Sequence, residues 1–314
     1  MNILIIDKVH KILPELLRNK NNHVDNFQNI SPNEAKKLIK NYEGLIIRSK
    51  IKLDRNILKE AKKLKFIARV GAGMESIDID AAKEFGIKLI NAPEGNRDSV
   101  GEHSIGMILA LFNKICSSNN SVKNGSWDRV AGKGIELMGK TIGIIGYGNM
   151  GSAFARRLSS FGVRVISYDK YKIAYSDAYT EEVDLQYIFD ETDILSLNVP
   201  LTEETHYMVD ANFIDKFRKN IYIINTARGK VIKTSDLVKK IQEGKILGAA
   251  LDVIEYENIS FENLSIANMQ DFDFLKKSPK VLLTPHVAGI TEQSFEKLAI
   301  VVFKKIQHFI ETGI

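Results

Sequence analysis

The sequence has little cysteine and lacks long apolar runs, and each shortage excludes a class of protein. The 314 residues include one cysteine, Cys116, so no disulfide can form within the chain and the cysteine spacings of zinc sites are missing. We therefore expect no bound metal, and we interpret Cys116 as a buried structural thiol because it lies in an apolar helical pattern. Apolar runs stay below the roughly 18 residues of a membrane helix, and the N-terminal segment is too short for a secretory signal. We expect a cytoplasmic protein that does not enter a membrane.

A large excess of one charge is also missing. Lysine and arginine number 44 against 39 aspartates and glutamates, a net charge of +5, and the cations are scattered among acidic residues. Because no basic run is interleaved with aromatic residues, we expect no nucleic-acid partner. We interpret the charges as a solvated surface, with the alternative that some cations attract a small anionic substrate. The chain length predicts about two domains.

The most informative segment that is present is Thr141–Gly151, where a short apolar run breaks into three glycines. Gly146 permits a tight turn, Gly148 lets the backbone approach a pyrophosphate, and Gly151 lets a helix pack closely on the preceding strand. The N–H groups at the start of that helix then face the phosphates. The order of strand, glycine turn and helix predicts a dinucleotide site.

The residue that follows the next predicted strand indicates which dinucleotide binds. That strand, Val163–Tyr168, is followed by Asp169, whose carboxylate can accept hydrogen bonds from both hydroxyls of the adenosine ribose. Lys170 and Lys172 leave NADP as the alternative, because a nearby cation can accommodate a 2′-phosphate. Asp169 itself would repel that phosphate, so we expect NAD.

Short apolar runs alternate with helical patterns along the whole chain, which predicts parallel sheets covered by helices on both faces. The predicted strands on either side of the glycine turn are 3–6, 45–47, 66–70 and 88–90, then 194–199, 221–225, 246–253 and 281–284. The segment 31–34 predicts a capped helix start. Asp98–Ser117 predicts a long connecting helix, whose apolar stripe packs either within the chain or against a second subunit. The final helix, Thr291–Glu311, is expected to cross back to the first unit.

Polar residues at the ends of the later strands should face one crevice, because ligands bind outside the carboxyl ends of parallel strands. They supply His286 as a base, Glu257 to hold the other N–H of its ring, and Arg228 to grip a substrate carboxylate. Each residue alone has an alternative role in a turn or on a solvated surface, but together they favour the oxidation of a secondary alcohol. The histidines interpreted instead as core or surface residues are His103, His206 and His308.

The chain resembles the D-isomer-specific 2-hydroxyacid dehydrogenases over nearly its whole length. The segments that carry the resemblance are Val70-Gly71-Ala72-Gly73, Asn91-Ala92-Pro93, Ser99–His103, Gly146–Gly151, Asn225–Gly229, Leu251-Asp252-Val253 and Pro285-His286. The resemblance implies an α/β fold of two doubly wound parallel-sheet domains. A Rossmann NAD domain of residues 98–285 is inserted into a flavodoxin-like substrate domain of residues 1–97 plus 286–314. A homodimer through the inserted domain is also implied.

The resemblance further implies roles for single residues. It assigns a catalytic triad to Arg228, Glu257 and His286, and it places Asp252 near the nicotinamide amide. The residues expected at the cofactor are Gly146, Gly148, Asn149, Met150, Gly151, Asp169, Val199, Pro200, Thr205, Thr226, Ala227, Asp252, His286 and Gly289.

One segment departs from the pattern of the family. Asn258 stands where a proline usually follows the catalytic glutamate, although Glu257 keeps the usual distance of five from Asp252. Glu255 therefore competes with Glu257 for the catalytic assignment. The tract 258–277 also looks longer than usual, and its structure is not predicted.

Within the family, three arginines resemble those of the 3-phosphoglycerate dehydrogenases. The expected substrate contacts are Arg48, Ser49, Arg69, Val70, Gly71 and Arg129. The arginines would bind a phosphate and a carboxylate, with Arg129 reaching from the partner subunit; the alternative is that they are surface residues. We expect oxidation of 3-phospho-D-glycerate to 3-phosphohydroxypyruvate in serine biosynthesis, by a short form without a C-terminal regulatory domain. The alternatives are a glyoxylate or hydroxypyruvate reductase, a D-lactate dehydrogenase and, from another class, an NAD-sensing corepressor.

Overall fold

A computed structural model of the chain describes residues 1–257 and 269–314. Among these residues, one compact unit comprises 1–97 and 290–314, and a second comprises 98–257 and 269–289. The chain therefore returns to the first unit after Gly289, whereas the sequence analysis places this domain boundary before His286. Within the tract 258–277, residues 258–268, which include Asn258, lie outside the described residues. The other part of the tract, Met269–Lys277, forms a helix.

The first unit is built on a five-stranded parallel sheet. Its strands are β1 Asn2–Ile5, β2 His23–Asn26, β3 Gly44–Ile47, β4 Phe66–Arg69 and β5 Lys88–Ile90, and its helices up to this point are α1 Ile12–Arg18, α2 Pro32–Ile39, α3 Arg55–Glu60 and α4 Ile79–Glu84. The strand order β2-β1-β3-β4-β5 is the flavodoxin-like order, as predicted. Strand β2 was not predicted, because Val24 is its one strongly apolar residue.

Local signals in the sequence explain where these helices begin. Ser31 and Glu34 form the predicted capping box at α2, in which each side chain accepts a hydrogen bond from the backbone N–H of the other. Asp54 caps α3 by accepting a hydrogen bond from the N–H of Ile57 at 3.1 Å. Each cap satisfies a backbone donor that the first turn of a helix leaves without an internal partner.

The second unit is built on a seven-stranded parallel sheet. Its elements are α5 Pro93–Phe112, α6 Ile115–Lys123, β6 Thr141–Ile145, α7 Asn149–Leu158, β7 Arg164–Tyr168, β8 Glu181–Glu182, α8 Leu185–Glu191, β9 Ile194–Leu197, α9 Ala211–Asp215, β10 Ile221–Asn225, α10 Thr234–Gln242, β11 Ile246–Leu251, α11 Met269–Lys277 and β12 Val281–Leu283. The strand order β12-β11-β10-β9-β6-β7-β8 reverses between β6 and β9, which is the Rossmann arrangement. The predicted fold class is confirmed.

The predicted connecting helix is divided in two, which corrects one interpretation of the sequence. Helix α5 ends at Phe112, and Lys114 takes a left-handed backbone conformation with φ of 50° before α6 begins. Because this turn redirects the chain, none of the residues of α6 is buried. Cys116 is exposed, so the prediction of a buried thiol was wrong.

The last helix, α12 Glu292–Thr312, contributes to the core of the first unit. Its apolar face, which includes Leu298, Val302 and Ile306, packs with residues of the first sheet such as Ile5. Thr291 caps its start by accepting a hydrogen bond from the N–H of Ser294 at 3.0 Å. The final segment of the chain therefore completes the hydrophobic core that the first 97 residues begin.

Candidate active site

The glycine turn between β6 and α7 has a separate steric reason for each glycine. Gly146 has φ of 93°, a conformation that residues with a side chain rarely adopt. A Cβ atom at Gly151 would lie 2.1 Å from the carbonyl oxygen of Gly146, so only glycine lets α7 approach the strand this closely. At Gly148, an added Cβ would meet no described heavy atom within 4 Å. The backbone there borders open space, as an approach to a phosphate requires.

The start of α7 is suited to bind an anion. Gly148 is the N-cap residue and provides no side chain to cap the helix. Asn149 and Met150 form the start of the first turn, where backbone N–H groups lack partners inside the helix. The partial positive charge of a helix N-terminus adds to this site.

Asp169 lies directly beside the glycine turn. One of its carboxylate oxygens accepts a hydrogen bond from the N–H of Tyr147 at 2.9 Å, and the other accepts one from the N–H of Tyr171 at 3.0 Å. A carboxylate has about four acceptor positions. These two backbone donors therefore orient the group and leave acceptor capacity for the two hydroxyls of a ribose.

The other predicted cofactor residues of this unit lie in loops that follow parallel strands. Val199, Pro200 and Thr205 follow β9, and the hydroxyl of Thr205 stabilises that loop by donating to the carbonyl of Pro200 at 2.6 Å. Thr226 and Ala227 follow β10. Gly289 lies in the segment 284–289, which follows β12. The fold therefore brings these residues to the same edge of one sheet.

The carboxylate of Asp252 fixes the loop that carries His286. Asp252 is only 1% exposed and accepts hydrogen bonds from the hydroxyl of Thr284 and from the N–H groups of Val287 and Ala288, the latter two at 2.9 Å. Its backbone carbonyl also accepts a hydrogen bond from the N–H of His286 at 2.7 Å. Asp252 thus determines the path of the backbone on both sides of the histidine.

His286 and Glu257 form a close pair at the end of the sheet. Nδ1 of His286 lies 2.6 Å from Oε2 of Glu257, and both side chains are largely buried. The other oxygen of Glu257 accepts a hydrogen bond from the N–H of Ile254 at 2.6 Å. His286 has φ of 56°, a strained conformation for a residue with a side chain. The loop therefore holds the imidazole in one orientation at the expense of backbone strain.

Glu255, the competitor of Glu257, makes different contacts. One of its oxygens accepts a hydrogen bond from the N–H of Thr234 at 2.6 Å, at the start of α10, and the other lies 3.4 Å from the hydroxyl of Tyr207. These contacts give Glu255 a part in stabilising the start of a helix.

Arg228 lies between β10 and the short 3₁₀ turn Gly229–Val231. Its guanidinium donates a hydrogen bond from Nη1 to the carbonyl of Ala227 at 2.7 Å, and the side chain is partly buried. A Cβ atom at Gly229 would lie 1.9 Å from the carbonyl oxygen of Ile254. The loop that carries the arginine therefore packs directly against the loop that leads to Glu257.

The predicted substrate residues of the first unit lie at the ends of two neighbouring strands. Arg48 and Ser49 follow β3, and Arg69 to Gly71 form the end of β4 and the residues after it. Nε of Arg69 donates to the carbonyl of Arg48 at 3.0 Å, and Nη1 donates to the carbonyl of Gly73. The guanidinium of Arg48 lies over the ring of Phe295 at 5.6 Å. The structure thus places Arg48 and Arg69 next to each other, whereas Arg129 is exposed on the second unit.

Two residues of α5 support the histidine loop, and reasoning from the sequence missed them. Nε2 of His103 lies 3.1 Å from the hydroxyl of Thr284 and 3.6 Å from a carboxylate oxygen of Asp252. The hydroxyl of Ser99 donates to the carbonyl of Ala288 at 2.7 Å. A spacing of four places Ser99 and His103 on one face of the helix, and that was the available signal.

Fold and site together define the class of protein. A Rossmann sheet, an uncapped helix start beside Gly148 and a carboxylate at Asp169 fit a bound dinucleotide, and a histidine–glutamate pair lies at the end of the same sheet. These features are those of a nicotinamide-dependent dehydrogenase. Among the described residues there is no cluster of His, Cys, Asp and Glu able to hold a metal ion, and no helix long and apolar enough to cross a membrane.

Comparison with known proteins identifies the family. Residues 105–288 match the model of the D-isomer specific 2-hydroxyacid dehydrogenase, NAD binding domain. A hydroxypyruvate reductase of Thermotoga maritima is 37% identical over 98% of this chain and 97% of its own length. A D-3-phosphoglycerate dehydrogenase of Archaeoglobus fulgidus is 32% identical over 98% of this chain, which spans 56% of that relative. The structure of a D-lactate dehydrogenase of Aquifex aeolicus with NAD and lactic acid has a TM-score of 0.81 at 30% identity, covering 99% of this chain and 96% of that one.

The chain belongs to the D-isomer specific 2-hydroxyacid dehydrogenase family. It is an NAD-dependent oxidoreductase, which confirms the predicted class of enzyme and its cofactor. The roles of individual residues stay predictions, and so does the identity of the hydroxy acid.

Proposed function

We propose that the protein interconverts a short D-2-hydroxy acid and its 2-oxo acid, with His286 as the proton-transferring group. The contact of 2.6 Å between His286 and Glu257 is the observation that supports this role. Imidazole is the side chain best suited to accept and return a proton near neutral pH. The carboxylate of Glu257 orients the ring through Nδ1, and we assign the proton exchange with the substrate to Nε2.

Each residue of the proposed triad has a separate task. In oxidation, Nε2 of His286 removes the proton of the C2 hydroxyl, and Glu257 stabilises the imidazolium that forms. Arg228 binds the substrate carboxylate and polarises the oxygen on C2. NAD, when bound, supplies the acceptor for the hydride of C2. In reduction, the imidazolium returns its proton to the oxygen of the 2-oxo acid.

The substrate proposed first is hydroxypyruvate or a similar short 2-oxo acid. The relative named as a hydroxypyruvate reductase matches this chain over nearly the whole length of both proteins. The second candidate is 3-phosphoglycerate, which the adjacent arginines favour. Carbonyl groups of the protein orient the guanidinium of Arg69 beside Arg48, and oriented arginines are typical of phosphate sites.

A panel of acids tests the activity and separates these candidates. The kcat/KM values should be measured with NADH for hydroxypyruvate, glyoxylate and 3-phosphohydroxypyruvate, and with NAD for D-glycerate, D-lactate and 3-phosphoglycerate. If the protein turns over none of these acids, the proposed activity is contradicted and the corepressor alternative is favoured.

A variant of Arg69 separates the phosphorylated acids from the others. Arg69→Gln should reduce kcat/KM for the phosphorylated acids far more than for the others. Arg55→Gln, which removes an exposed arginine of the same unit, is the matched control. Equal losses for all acids would remove the phosphate role of Arg69.

We also propose that the protein forms a homodimer through the second unit. Six large apolar side chains between residues 115 and 138 are exposed: Ile115, Val122, Trp127, Val130, Ile135 and Met138. Large apolar side chains exposed within one short segment favour an interaction site there. Arg129 lies in the same segment, which suits its proposed reach into the partner subunit. Ultracentrifugation should give twice the chain mass of 35.3 kDa, and a monomer at all concentrations would contradict the proposal.

A further inference from the structure

Two lysines after β7 raise the question of how the protein distinguishes NAD from NADP. Lys170 and Lys172 line a cavity of about 500 Å³ beside Asp169, in the region where a cation accommodates the 2′-phosphate of NADP in related folds. At neutral pH that phosphate carries a charge of roughly −1.5 to −2. Unless the protein engages both lysines, they would favour the wrong cofactor.

Lys172 is engaged by the glycine turn. Its Nζ donates a hydrogen bond to the carbonyl of Tyr147 at 2.6 Å, and Tyr147 is itself buried. The ammonium group therefore stabilises the backbone between Gly146 and Gly148. Moving it toward a phosphate would leave this carbonyl without its donor.

Lys170 is engaged by a residue far from it in the sequence. Its Nζ forms an ion pair with Oε1 of Glu204, and the hydroxyl of Tyr171 donates to Oε2 of the same carboxylate at 2.7 Å. Both oxygens of Glu204 are thus bound by residues that directly follow Asp169. The carboxylate of Glu204 is negatively charged at neutral pH, and the hydrogen bond from Lys170 lowers its pKa further.

Glu204 is held in position by the turn that carries it. The N–H of Thr202 donates to the hydroxyl oxygen of Thr205 at 2.8 Å, and that hydroxyl donates to the carbonyl of Pro200 at 2.6 Å. Because this turn is fixed, little conformational entropy of the backbone is lost when Glu204 binds Lys170. The ion pair is therefore pre-organised on the side of Glu204.

We propose that Glu204 is a specificity-determining residue that excludes NADP by neutralising Lys170 and by adding a negative charge beside the adenosine ribose. This inference rests on the proposed position of that ribose at Asp169. Glu182 and Asp184 line the cavity beside Asp169 that Lys170 also lines, and they add negative charge there. Glu204 differs from them because it also neutralises the cation nearest to Asp169 in the sequence.

Binding of two adenosine nucleotides tests the inference without turnover. Isothermal titration calorimetry of the full chain should compare 5′-AMP with adenosine 2′,5′-bisphosphate, which adds only the phosphate that distinguishes NADP. Glu204→Gln releases the ammonium of Lys170 and removes a like charge, so it should shift the ratio of the two Kd values roughly three- to tenfold toward the bisphosphate.

Two further variants make the result specific. Glu203→Gln removes the same charge from the neighbouring residue and should leave the ratio within about twofold, because exposed charges at longer range are screened by salt. Lys170→Met combined with Glu204→Gln should remove the part of the gain that the released ammonium produces, and should leave only the smaller part that comes from the lost negative charge.

The possible failures are distinguishable. An unchanged ratio in Glu204→Gln, or an equal shift in Glu203→Gln, would overturn the role of Glu204. If 5′-AMP does not bind to the unaltered chain, or if Asp169→Ala leaves its Kd unchanged, the proposed ribose position fails instead. Kinetics with NADH and NADPH should then show the same change in preference as the nucleotides.

Discussion

The assignment of Glu257 as the partner of the catalytic histidine leads to the sharpest prediction, because the chain contains its own control. Glu255 and Glu257 lie two positions apart on one loop and bind different groups. Glu257 contacts Nδ1 of His286 at 2.6 Å, and Glu255 accepts a hydrogen bond from the N–H of Thr234 at 2.6 Å. Replacing either glutamate by glutamine keeps the shape of the side chain and removes its charge. The two variants should therefore affect different measurements.

The effect of Glu257→Gln follows from the charge that it removes. Hydrogen bonds to charged groups are worth about 1.5–3 kcal/mol, against about 0.5–1.5 kcal/mol for neutral ones, so imidazolium loses about 1–2 kcal/mol of stabilisation. Since each 1.36 kcal/mol is about tenfold in rate, that loss alone lowers kcat/KM by roughly 5- to 30-fold. If the amide N–H turns toward Nδ1, the wrong tautomer forms and the loss approaches roughly 10⁴-fold. The free energy of unfolding should fall less than in Glu255→Gln, because the glutamine oxygen can still accept the hydrogen bond from the N–H of Ile254 and no helix start depends on the charge.

Glu255→Gln should have the opposite profile. Its carboxylate accepts a hydrogen bond from the first turn of α10, where a negative charge is worth about 0.3–1 kcal/mol in addition to the hydrogen bond. We expect this variant to lose about 1–2 kcal/mol of stability, while its kcat/KM stays within about threefold of the unaltered protein.

Steady-state kinetics and urea unfolding of both variants measure the two effects. The substrate should be the acid with the highest kcat/KM in the panel described above. A loss of kcat/KM in Glu255→Gln as large as that in Glu257→Gln, with both proteins folded, would refute the assignment. So would near-normal turnover of Glu257→Gln.

The remaining predictions concern the base, the glycine turn and alkaline pH. His286→Asn should lower turnover by roughly 10²–10⁴-fold, and asparagine tolerates the left-handed backbone at this position; near-normal turnover would remove the histidine from its role. Gly148→Ala should weaken the binding of 5′-AMP, measured by calorimetry, with little loss of stability. Gly151→Ala should lower the free energy of unfolding, measured in urea, by about 1–3 kcal/mol because its Cβ meets the turn. Equal losses of stability in the two variants would contradict this difference. Burial raises the pKa of Tyr42 and of Tyr256 to about 12. Because unfolded tyrosine titrates near pH 10, stability should fall as the pH rises from about 10 to 12. Tyr42→Phe should reduce the slope, and an unchanged slope would refute its contribution.

The sequence predicted most of the strands and the glycine turn because their causes are local. Apolar runs such as Ile3–Ile6 are bounded by polar residues, and the capping box of Ser31 and Glu34 is complete within four positions. The roles of Gly146 and Gly151 follow from steric contacts within the turn itself. Where neighbours in the sequence are also neighbours in space, pattern and structure agree.

The sequence did not predict features that depend on distant contacts. Strand β2 has a single strongly apolar residue and exists because its backbone pairs with β1. Cys116 continues the apolar spacing of the preceding helix in the sequence, yet the left-handed turn at Lys114 places it on an exposed helix. The role of Glu204 was also hidden, because its partner Lys170 lies 34 positions away.

The sequence by itself determined the type of fold, the dinucleotide turn and the residue types available for chemistry, because these depend on periodicity and on the steric needs of single residues. Only the tertiary structure decided which of two nearby glutamates meets the histidine, since an irregular loop has no period that would fix the direction of either side chain. It also showed that Ser99 of α5 supports the histidine loop through a hydrogen bond between residues 189 positions apart. Such contacts form only when the fold brings a helix against a loop that follows a distant strand.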